Sequence, residues 1–371
     1  ELGADAVPAL NEALDHQDGR YWATLVVQEI GPPAAPLVPK LTAMVTDDDE
    51  PEVRMHSIMA LGAIGKDAKE AAPAIIEQFK SDKLPAVKYA AAFALPAIGA
   101  AEAKDVLQAA VDANKGPEGD MFLYVVSARA LDKLFPEDEA IEKQSVDAFT
   151  AGLQSKDVNI RRASVQALVE SEAPSEIVAP RLVEAINHTD GRVIGEVMAA
   201  LTAMGADAVP RVINGLKNKD LRGYAAVVLG NIGPDAKAAV PNLNEALAVD
   251  DDPEFRREVL FTLGRIGPPS APAAAKVIEI VQTDKNDRVV SAACYALGSM
   301  GEAASKAGPA LVGVYNDGNE FEKTAAIWAL LKVRPGFESV QKRAIPLLIK
   351  ALSRDADHVQ SEAAKALGDI G

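Results

Sequence analysis

Apolar side chains recur along this chain at the spacing of one face of an α-helix. Between Val53 and Gly65, the residues that share this face are Val53, Ser57, Ile58, Leu61 and Ile64. The small residues in this pattern allow a neighbouring helix to approach closely. The same pattern returns, position by position, between Leu221 and Gly233. The sequence therefore predicts amphipathic helices that repeat along the chain.

Most of these helices end in an apolar residue followed by glycine. Further copies end at Gly31, Gly99, Gly205, Gly267, Gly301 and Gly371. Most copies lie near 34 residues apart, a period typical of solenoids. One such unit cannot bury its apolar face alone, so neighbouring units must stack to form a continuous core.

A second helical pattern precedes each copy, as between Val7 and Leu14 and between Val209 and Leu216. Proline recurs in it at Pro8, Pro39, Pro73, Pro180, Pro210, Pro241, Pro309 and Pro346. Because proline at the first helical position loses no intrahelical hydrogen bond, we expect the first helix of each hairpin to begin there. The glycine predicts a left-handed C-cap for the second helix. The Asp-rich stretch between the helices supplies N-caps such as Asp252.

These signals predict an all-α fold, a right-handed α-α superhelix (solenoid) of about eleven helical hairpins. We expect residues 1–371 to form a single array, with degenerate copies near Leu134, Ser171 and Val333. The repeats over about 100–172 are irregular, and the loop between Asn114 and Gly119 lacks the usual pattern. We interpret this region as sequence drift with a longer surface loop, because loops tolerate insertion at little cost. A functional hinge with a local change in curvature is the alternative.

The signature Asp-x-x-x-Val-Arg-x-x-Ala-Ala-x-Ala-Leu-Gly-x-Ile-Gly, which fits the copy between Val53 and Gly65, resembles HEAT repeats. In particular it resembles the short bacterial type that is also found in phycobilisome-lyase-like proteins. The resemblance covers essentially the whole chain. It implies a curved superhelix whose second helices line the concave side, with peptide or protein binding as the commonest task. It does not specify a function, because HEAT arrays serve scaffolding, transport, lyase and repair roles.

Both ends of the chain fall at repeat boundaries. The residues from Leu2 to Pro8 parallel those from Met204 to Pro210, and the chain stops at the motif position of Gly371. Neither end carries an initiator methionine, a signal peptide or a distinct polar cap. We therefore expect this chain to be a segment of a longer protein, and the sequence leaves its compartment open.

Charge and hydropathy narrow the range of partners. The formal net charge is -16 and the sequence pI is about 4.8, a field that repels the phosphates of nucleic acids. No apolar run approaches the roughly 20 residues that span a bilayer, so we expect a soluble chain without membrane insertion. The single cysteine, Cys294, lies among small apolar residues and is interpreted as a core residue.

The sequence contains no recognisable catalytic or cofactor-binding constellation, and we predict neither an enzyme nor a bound cofactor or metal. The four histidines, His16, His56, His188 and His358, fall in different repeats, and none is followed by glutamate. HEAT-type deoxyhypusine hydroxylases hold iron through repeated His-Glu pairs, which are absent from this sequence. The acidic runs at 47–50 and 250–252 could attract Ca²⁺, but both precede Pro-Glu at a helix start, where carboxylates cap free N–H groups.

Basic residues begin most second helices. They are Arg20, Arg54, Lys88, Arg161, Arg222 and Arg256. They resemble the HEAT positions that pair with turn aspartates of neighbouring repeats, so we expect a structural ladder. Anion binding is the alternative.

The second helices also carry bulky side chains outside the core pattern. These residues are Tyr21, Trp22, Met55, His56, Met59, Tyr89, Phe93, Tyr224, Phe261, Tyr295 and Trp328. At the same positions the middle repeats carry Arg129, Arg162, Gln166 and Glu196, which interrupt the apolar series. We predict two apolar patches on the concave face that accept a helix or an extended segment of a partner protein.

Packing between neighbouring helices is an equally good explanation for Leu25, Met59, Phe93, Phe261, Tyr295 and Trp328, which occupy the middle of their helices. Tyr21, Trp22, Met55 and Tyr89, one turn earlier, are the better candidates for binding. The leading hypothesis is thus a protein-interaction scaffold. The alternatives are a lyase-like or other small-ligand enzyme, and an architectural array that self-associates through its open ends.

Overall fold

A computed structural model describes residues 3–171, 173–186, 191–249, 252–336, 338–353 and 357–370. Over these residues the chain forms 22 α-helices and no strand, so the predicted all-α superhelical repeat fold is confirmed. The chain divides into two compact units, Glu1–Pro174 with His188–Val193, and Ser175–Asn187 with Ile194–Gly371. The single array over 1–371 stays a prediction.

The helices of the first unit pair into five consecutive hairpins. They are α1 Val7–Ala13 and α2 Gln17–Ile30, α3 Val38–Asp47 and α4 Pro51–Ile64, α5 Ala72–Ser81 and α6 Pro85–Ala97, α7 Lys104–Asn114 and α8 Met121–Leu134, and α9 Glu139–Leu153 and α10 Val158–Glu170.

Six further hairpins follow, and α12 begins at the last residues assigned to the first unit. They are α11 Ser175–Ala185 and α12 Gly191–Ala203, α13 Val209–Gly215 and α14 Arg222–Ile232, α15 Val240–Val249 and α16 Pro253–Ile266, α17 Ala274–Thr283 and α18 Asp287–Met300, α19 Gly308–Asp317 and α20 Glu320–Val333, and α21 Glu338–Ala351 and α22 Asp357–Ile370. The described residues thus contain eleven consecutive pairs of helices, in line with the predicted number of about eleven. In every pair except α11 and α12, the two helices pack against each other.

A glycine with a positive φ follows seven of the second helices, directly after five of them and one residue later after α6 and α12. The residues are Gly31, Gly65, Gly99, Gly205, Gly233, Gly267 and Gly301, with φ between 58° and 79°. The sequence predicted a left-handed C-cap, in which both φ and ψ are positive. The prediction is wrong for ψ, which lies between −132° and −145° at Gly31, Gly65, Gly233, Gly267 and Gly301. This backbone conformation is accessible essentially to glycine alone. It sends the chain directly into a 3-10 turn, such as Pro32–Leu37, that leads to the next first helix.

Three connections lack the glycine and take another form. At Phe135, Ser171 and Arg334 the described residues show no 3-10 turn before the next helix. The helices α9 and α21 that follow have 15 and 14 residues, against ten for α3, α5, α17 and α19. The expectation that proline begins each first helix is therefore wrong at Pro180 and Pro346, which lie inside α11 and α21. Without the 3-10 turn, the helix starts upstream of its proline.

Of the two acidic runs, one caps its second helix and the other bonds within its own turn. The Asp252 carboxylate accepts the N–H of Glu254, as predicted. In the run at 47–50, Asp48 accepts the N–H of Glu50, whereas Glu50 itself makes no side-chain cap. Asp250 and Asp251 lie outside the described residues. The carboxylates of Asp48 and Asp252 thus have a structural role.

The core of each unit lies between its two layers of helices. Val53, Ser57, Ile58, Leu61 and Ile64 are buried, which confirms the predicted apolar face. Neighbouring second helices, such as α4 and α6, pack closely along their length, whereas neighbouring first helices contact each other less. Within each unit the second helices therefore form the more closely packed of the two layers.

Candidate partner-binding surfaces

Four arginines near the start of second helices form an inter-repeat ladder. The Arg54 guanidinium lies 2.8 Å from the Asp82 carboxylate in the next turn, and it also donates to the Asp48 carbonyl of its own turn. Equivalent ion pairs join Arg20 to Asp48, Arg222 to Asp252 and Arg256 to Asp284, at 2.9–3.0 Å. The predicted ladder is confirmed at these positions.

The ladder changes at the third repeat. The Lys88 amine donates to the Lys80 carbonyl of its own hairpin, so the prediction is wrong there. The next acidic residue, Asp120, instead accepts a hydrogen bond from the hydroxyl of Tyr89. It also caps α8 by accepting a hydrogen bond from the N–H of Leu123. Arg161, in the irregular region, donates to the carbonyls of its own turn, at Ser155 and Lys156.

Tyr89 takes part in the contact between the third and fourth repeats. Its ring packs edge-on against Phe122, with 4.7 Å between ring centroids. Burial, together with the hydrogen bond to the Asp120 carboxylate, raises the pKa of the Tyr89 hydroxyl above its usual range. Sequence reasoning missed Asp120, although its place directly before an apolar helix start was a signal for a cap.

The stripe row comprises seven apolar residues of the second helices, each six positions before the glycine at the junction or, after α20, before Arg334. They are Leu25, Met59 and Phe93 in the first unit, and Val227, Phe261, Tyr295 and Trp328 in the second. Met59 and Phe93, in adjacent repeats, are each 41% exposed. The Arg129 guanidinium lies over the Phe93 ring, 5.2 Å from its centroid, and pairs with Glu170 at 2.7 Å. This ion pair ends the apolar patch of the first unit.

Tyr21, Met55 and His56 lie half-buried beside this patch. The Tyr21 ring packs edge-on against the His56 ring at 5.0 Å, and Gln28 Nε2 lies 3.2 Å from His56 Nδ1. Burial lowers the pKa of His56. Tyr21 and His56 therefore contribute to the packing of α2 against α4.

Trp22 is the most exposed of the predicted residues, at 66%. Its equivalent in the next repeat is His56, which faces the preceding helix through Tyr21 and Gln28. Trp22 therefore lies on the flank of α2 that would face a preceding helix, beside the stripe row rather than within it.

In the second unit the stripe row forms a continuous aromatic stack. Ring centroids are 5.6 Å apart both between Phe261 and Tyr295 and between Tyr295 and Trp328, and the latter two rings are nearly parallel. Trp328 is buried, Phe261 and Tyr295 are half-buried, and Tyr224 is exposed.

Two glycines make room for these rings, and we call Gly264 and Gly298 the contact glycines. A Cβ at Gly264 would lie 2.4 Å from the Tyr295 ring, and one at Gly298 would lie 2.2 Å from the Trp328 ring. Much of the stack is therefore inter-repeat packing. The recurring Leu-Gly pair in the sequence was the signal for this contact.

The side chains that could bind a metal ion or act as a nucleophile do not cluster in the described residues. The described residues contain no group of three or more His, Cys, Asp or Glu side chains placed to hold a metal ion. His188 and the side chain of His358 lie outside the described residues. Cys294 is buried, as predicted.

We expect Cys294 to be inert in the folded protein. Burial, with a smaller contribution from the negative charge of Glu322, raises the pKa of its thiol to about 12. Because the thiolate is the reactive form, a disulfide reagent at about pH 8 should find no titratable thiol in the native chain. After unfolding in denaturant it should find one per chain, and a rapid native reaction would contradict the burial of Cys294.

No single helix in the described part of the chain is both long enough and apolar enough to cross a bilayer. One bent pair, Gly191–Ala203 with Gly205–Gly215 at 114°, reaches the required length and composition when taken together.

Comparison with known proteins points to one family. The family model for HEAT repeats matches residues 6–83, 38–118, 209–285 and 240–331, well over half of the chain in total. No curated protein matches.

Among solved structures, the chain is similar to Kap95p in a structure that concerns its binding to RanGDP. The TM-score is 0.62 at 12% sequence identity, and the match covers 99% of this chain and 56% of Kap95p. It is also similar to the karyopherin Kap121p bound to the extreme C-terminus of the protein phosphatase Cdc14p (TM-score 0.59, 18% identity, 91% and 42%) and bound to Nup53p (TM-score 0.57, 18% identity, 97% and 44%). The chain spans about half the length of these proteins. At such identities the likeness shows the fold.

Proposed function

This chain belongs to the HEAT-repeat family, and we propose that it is a scaffold that binds a segment of another protein on the second helices of its first unit. The observation that carries the proposal is the exposed pair of Met59 and Phe93 on adjacent helices. Large apolar side chains that remain open beside each other are typical of interaction surfaces.

The geometry of this patch suits an apolar segment. Leu25 continues the stripe row on one side, and the Arg129–Glu170 ion pair closes the other side with polar groups. A patch with an apolar centre and a polar boundary is the usual arrangement of a protein interface. The Kap121p structures support the proposal, because a protein of similar fold is bound there to the extreme C-terminus of Cdc14p in one case and to Nup53p in another.

The predicted site is wider than this pair. It includes Tyr21, Trp22, Met55, His56 and Tyr89 in the first unit, and a second patch of Tyr224, Phe261, Tyr295 and Trp328. The second patch is the weaker candidate, because its rings cover one another and Trp328 is buried.

A lyase-like or small-ligand enzyme remains the alternative from another class. The comparisons match the HEAT family in general, and they lend no support to the bacterial phycobilisome-lyase-like type. The two proposals differ in what purified material contains, because a bilin-handling protein would carry visible absorbance.

Charged substitutions in the patch should weaken binding without unfolding the chain. Peptides selected against the wild-type chain from a random display library supply the probe. We expect Met59→Asp combined with Phe93→Asp to raise the Kd of such a peptide at least ~10-fold, because a buried carboxylate would replace an apolar contact. Fluorescence polarisation gives the Kd, and thermal unfolding followed by circular dichroism checks the fold.

Val169→Asp is the matched control, because Val169 is an exposed apolar residue of α10 outside the stripe row. It should leave the Kd unchanged. Equal binding by the wild type and the double variant would reject the patch as the binding surface.

A further inference from the structure

The apolar patch of the first unit borders two cations on α8. Arg129 occupies in α8 the position that Met59 and Phe93 occupy in α4 and α6, and its guanidinium lies 5.2 Å from the centroid of the Phe93 ring. Lys133 follows Arg129 by four residues, so both side chains lie on the same face of α8. Ala63 and Ala97, which hold the position of Lys133 in α4 and α6, are small. The patch therefore passes directly from apolar to basic side chains.

A single carboxylate serves both cations. Glu170 of α10 accepts hydrogen bonds from Nε and Nη2 of Arg129, at 3.1 and 2.7 Å, and lies 3.7 Å from the Lys133 amine. Burial alone would raise the pKa of Glu170, but the hydrogen bonds from Gln166 and Arg129, with the charges of Arg129 and Lys133, hold it below its usual value. Glu170 is therefore ionised at neutral pH, and two cations with one anion leave one net positive charge.

Neighbouring charges do not cancel this positive charge. Asp132, at the α8 position of the contact glycines, and Arg162, one turn before Gln166 in α10, contribute one charge of each sign. Glu29 follows Leu25 by one turn in α2, at the opposite end of the patch. The α8 end of the patch is thus positive, in a chain whose formal net charge is -16.

Hydrogen-bond donors remain at this end. Among the described residues Nη1 of Arg129 makes no hydrogen bond, because Glu170 engages the other two nitrogens of the guanidinium. The Lys133 amine donates to the Glu170 carbonyl at 3.0 Å, and its side chain is 37% exposed, so its other hydrogens face solvent. A second carboxylate that approached from the patch would find donors without displacing Glu170.

We propose that the segment bound over Met59 and Phe93 carries an aspartate or glutamate that pairs with Arg129 and Lys133. This inference rests on the proposed function, because it names the chemistry of the partner that the same patch holds. An apolar side chain of the segment would cover the Phe93 ring, and the carboxylate would lie beside it on the guanidinium.

The 5.2 Å between ring and guanidinium restricts the spacing within the segment. Residues i and i+2 of an extended segment share a face and lie about 7 Å apart, and residues i and i+4 of a helix lie about 6 Å apart. The acidic residue therefore follows or precedes the apolar residue by two positions in an extended segment, and by three or four in a helical one.

The net charge of the chain favours the opposite partner. A chain at -16 attracts basic peptides at long range, although salt at physiological strength screens this attraction beyond about 8 Å. A carboxylate in contact with Arg129 makes short, charge-assisted hydrogen bonds that depend on the local cations. The two effects predict different compositions for the peptides that the display library yields. We expect aspartate and glutamate to be enriched at the spacing given above.

A peptide from that selection and its amide counterpart, with Asp→Asn or Glu→Gln at the acidic residue, test the pairing. Fluorescence polarisation gives the Kd of both for the wild type and for Lys133→Gln. Loss of the carboxylate should raise the Kd at least ~3-fold for the wild type, and less for Lys133→Gln, which lacks one of the cations. Lys143→Gln, which alters an exposed lysine of α9, should behave as the wild type. Circular dichroism verifies the fold of each variant.

Equal affinity of the wild type for the acidic and the amide peptide would overturn the inference, and so would an effect of the same size in Lys133→Gln. Selected peptides with lysine or arginine at this spacing would also overturn it. In each case the proposed function stands if Met59→Asp with Phe93→Asp still weakens binding. A selection without any peptide that is sensitive to that double variant would reject the proposed function and this inference together.

Discussion

Replacing Arg54 with methionine should destabilise the first unit by about 3 kcal/mol at neutral pH. The Asp82 side chain that pairs with Arg54 is almost fully buried in the turn between α5 and α6, so the substitution leaves a shielded carboxylate without its cation. Urea unfolding followed by circular dichroism measures the loss. Lys40→Met removes a more exposed ion pair, with Asp15, and should cost no more than about 1 kcal/mol.

The loss should shrink as the pH falls. Burial alone would raise the pKa of Asp82, but the hydrogen bonds from Arg54 and from the N–H of Leu84, with the Arg54 charge, hold it below its usual value. In the wild type this pair stabilises the fold above the pKa of the unfolded carboxyl, about 3.9, and the contribution is lost as the pH falls through the lower folded value. In the variant, burial raises the Asp82 pKa, so protonation relieves the unpaired charge at a higher pH.

The difference in unfolding free energy between wild type and variant should therefore be largest near neutrality and smaller at about pH 4. A difference that does not change with pH would show that Arg54 acts through packing of its stem rather than through the ion pair.

Gly298→Ala should destabilise the second unit by about 2 kcal/mol, even though alanine is the better helix former. The added methyl would lie 2.2 Å from the Trp328 ring and 3.0 Å from the Cα of Ala329, so the ring must leave its stack on Tyr295. The chain has two tryptophans, and in a Trp22→Phe background Trp328 is the single emitter. Its emission should shift to the red as the ring is displaced.

Two further variants test the cause. Gly313→Ala changes a glycine inside α19 that has no atom within 4 Å of the new methyl, so it should raise stability by up to about 1 kcal/mol. Adding Trp328→Leu to Gly298→Ala should recover part of the loss relative to the sum of the two single changes. Strict additivity of the two would show that methyl and ring do not meet.

The fold was predictable because three features of the sequence indicate the same helical repeat: the period of about 34 residues, the apolar face, and the proline and glycine near the helix ends. Val53, Leu61 and Ile64 mark a buried face in one copy, and the recurrence of that copy specifies hairpins and their stacking. The ladder was predictable for the same reason, since an arginine and a turn aspartate recur together. Where a repeat departs from the pattern, as at Lys88 and Pro180, the prediction was wrong because it used the pattern rather than the local residues.

The candidate site was harder to predict, because exposure depends on the neighbouring repeat. Phe93 and Trp328 hold equivalent positions, yet the former is exposed and the latter is buried. The difference follows from what surrounds each ring. Trp328 lies over Gly298, which leaves space for it, and stacks on Tyr295. A list of aromatic positions cannot supply this information, since it needs the distance between two helices.

The glycine connections also bear on how such a chain changes over generations. Any amino-acid substitution at a glycine codon introduces a Cβ, which the backbone conformation at Gly31 or Gly267 does not admit without strain. Duplication of a whole repeat copies the glycine intact, whereas point mutation can only remove it. The connections at Phe135, Ser171 and Arg334, with longer first helices after two of them, show the form that the junction takes without glycine. We therefore expect a chain of this fold to lengthen by duplication of whole repeats, each of which keeps its glycine.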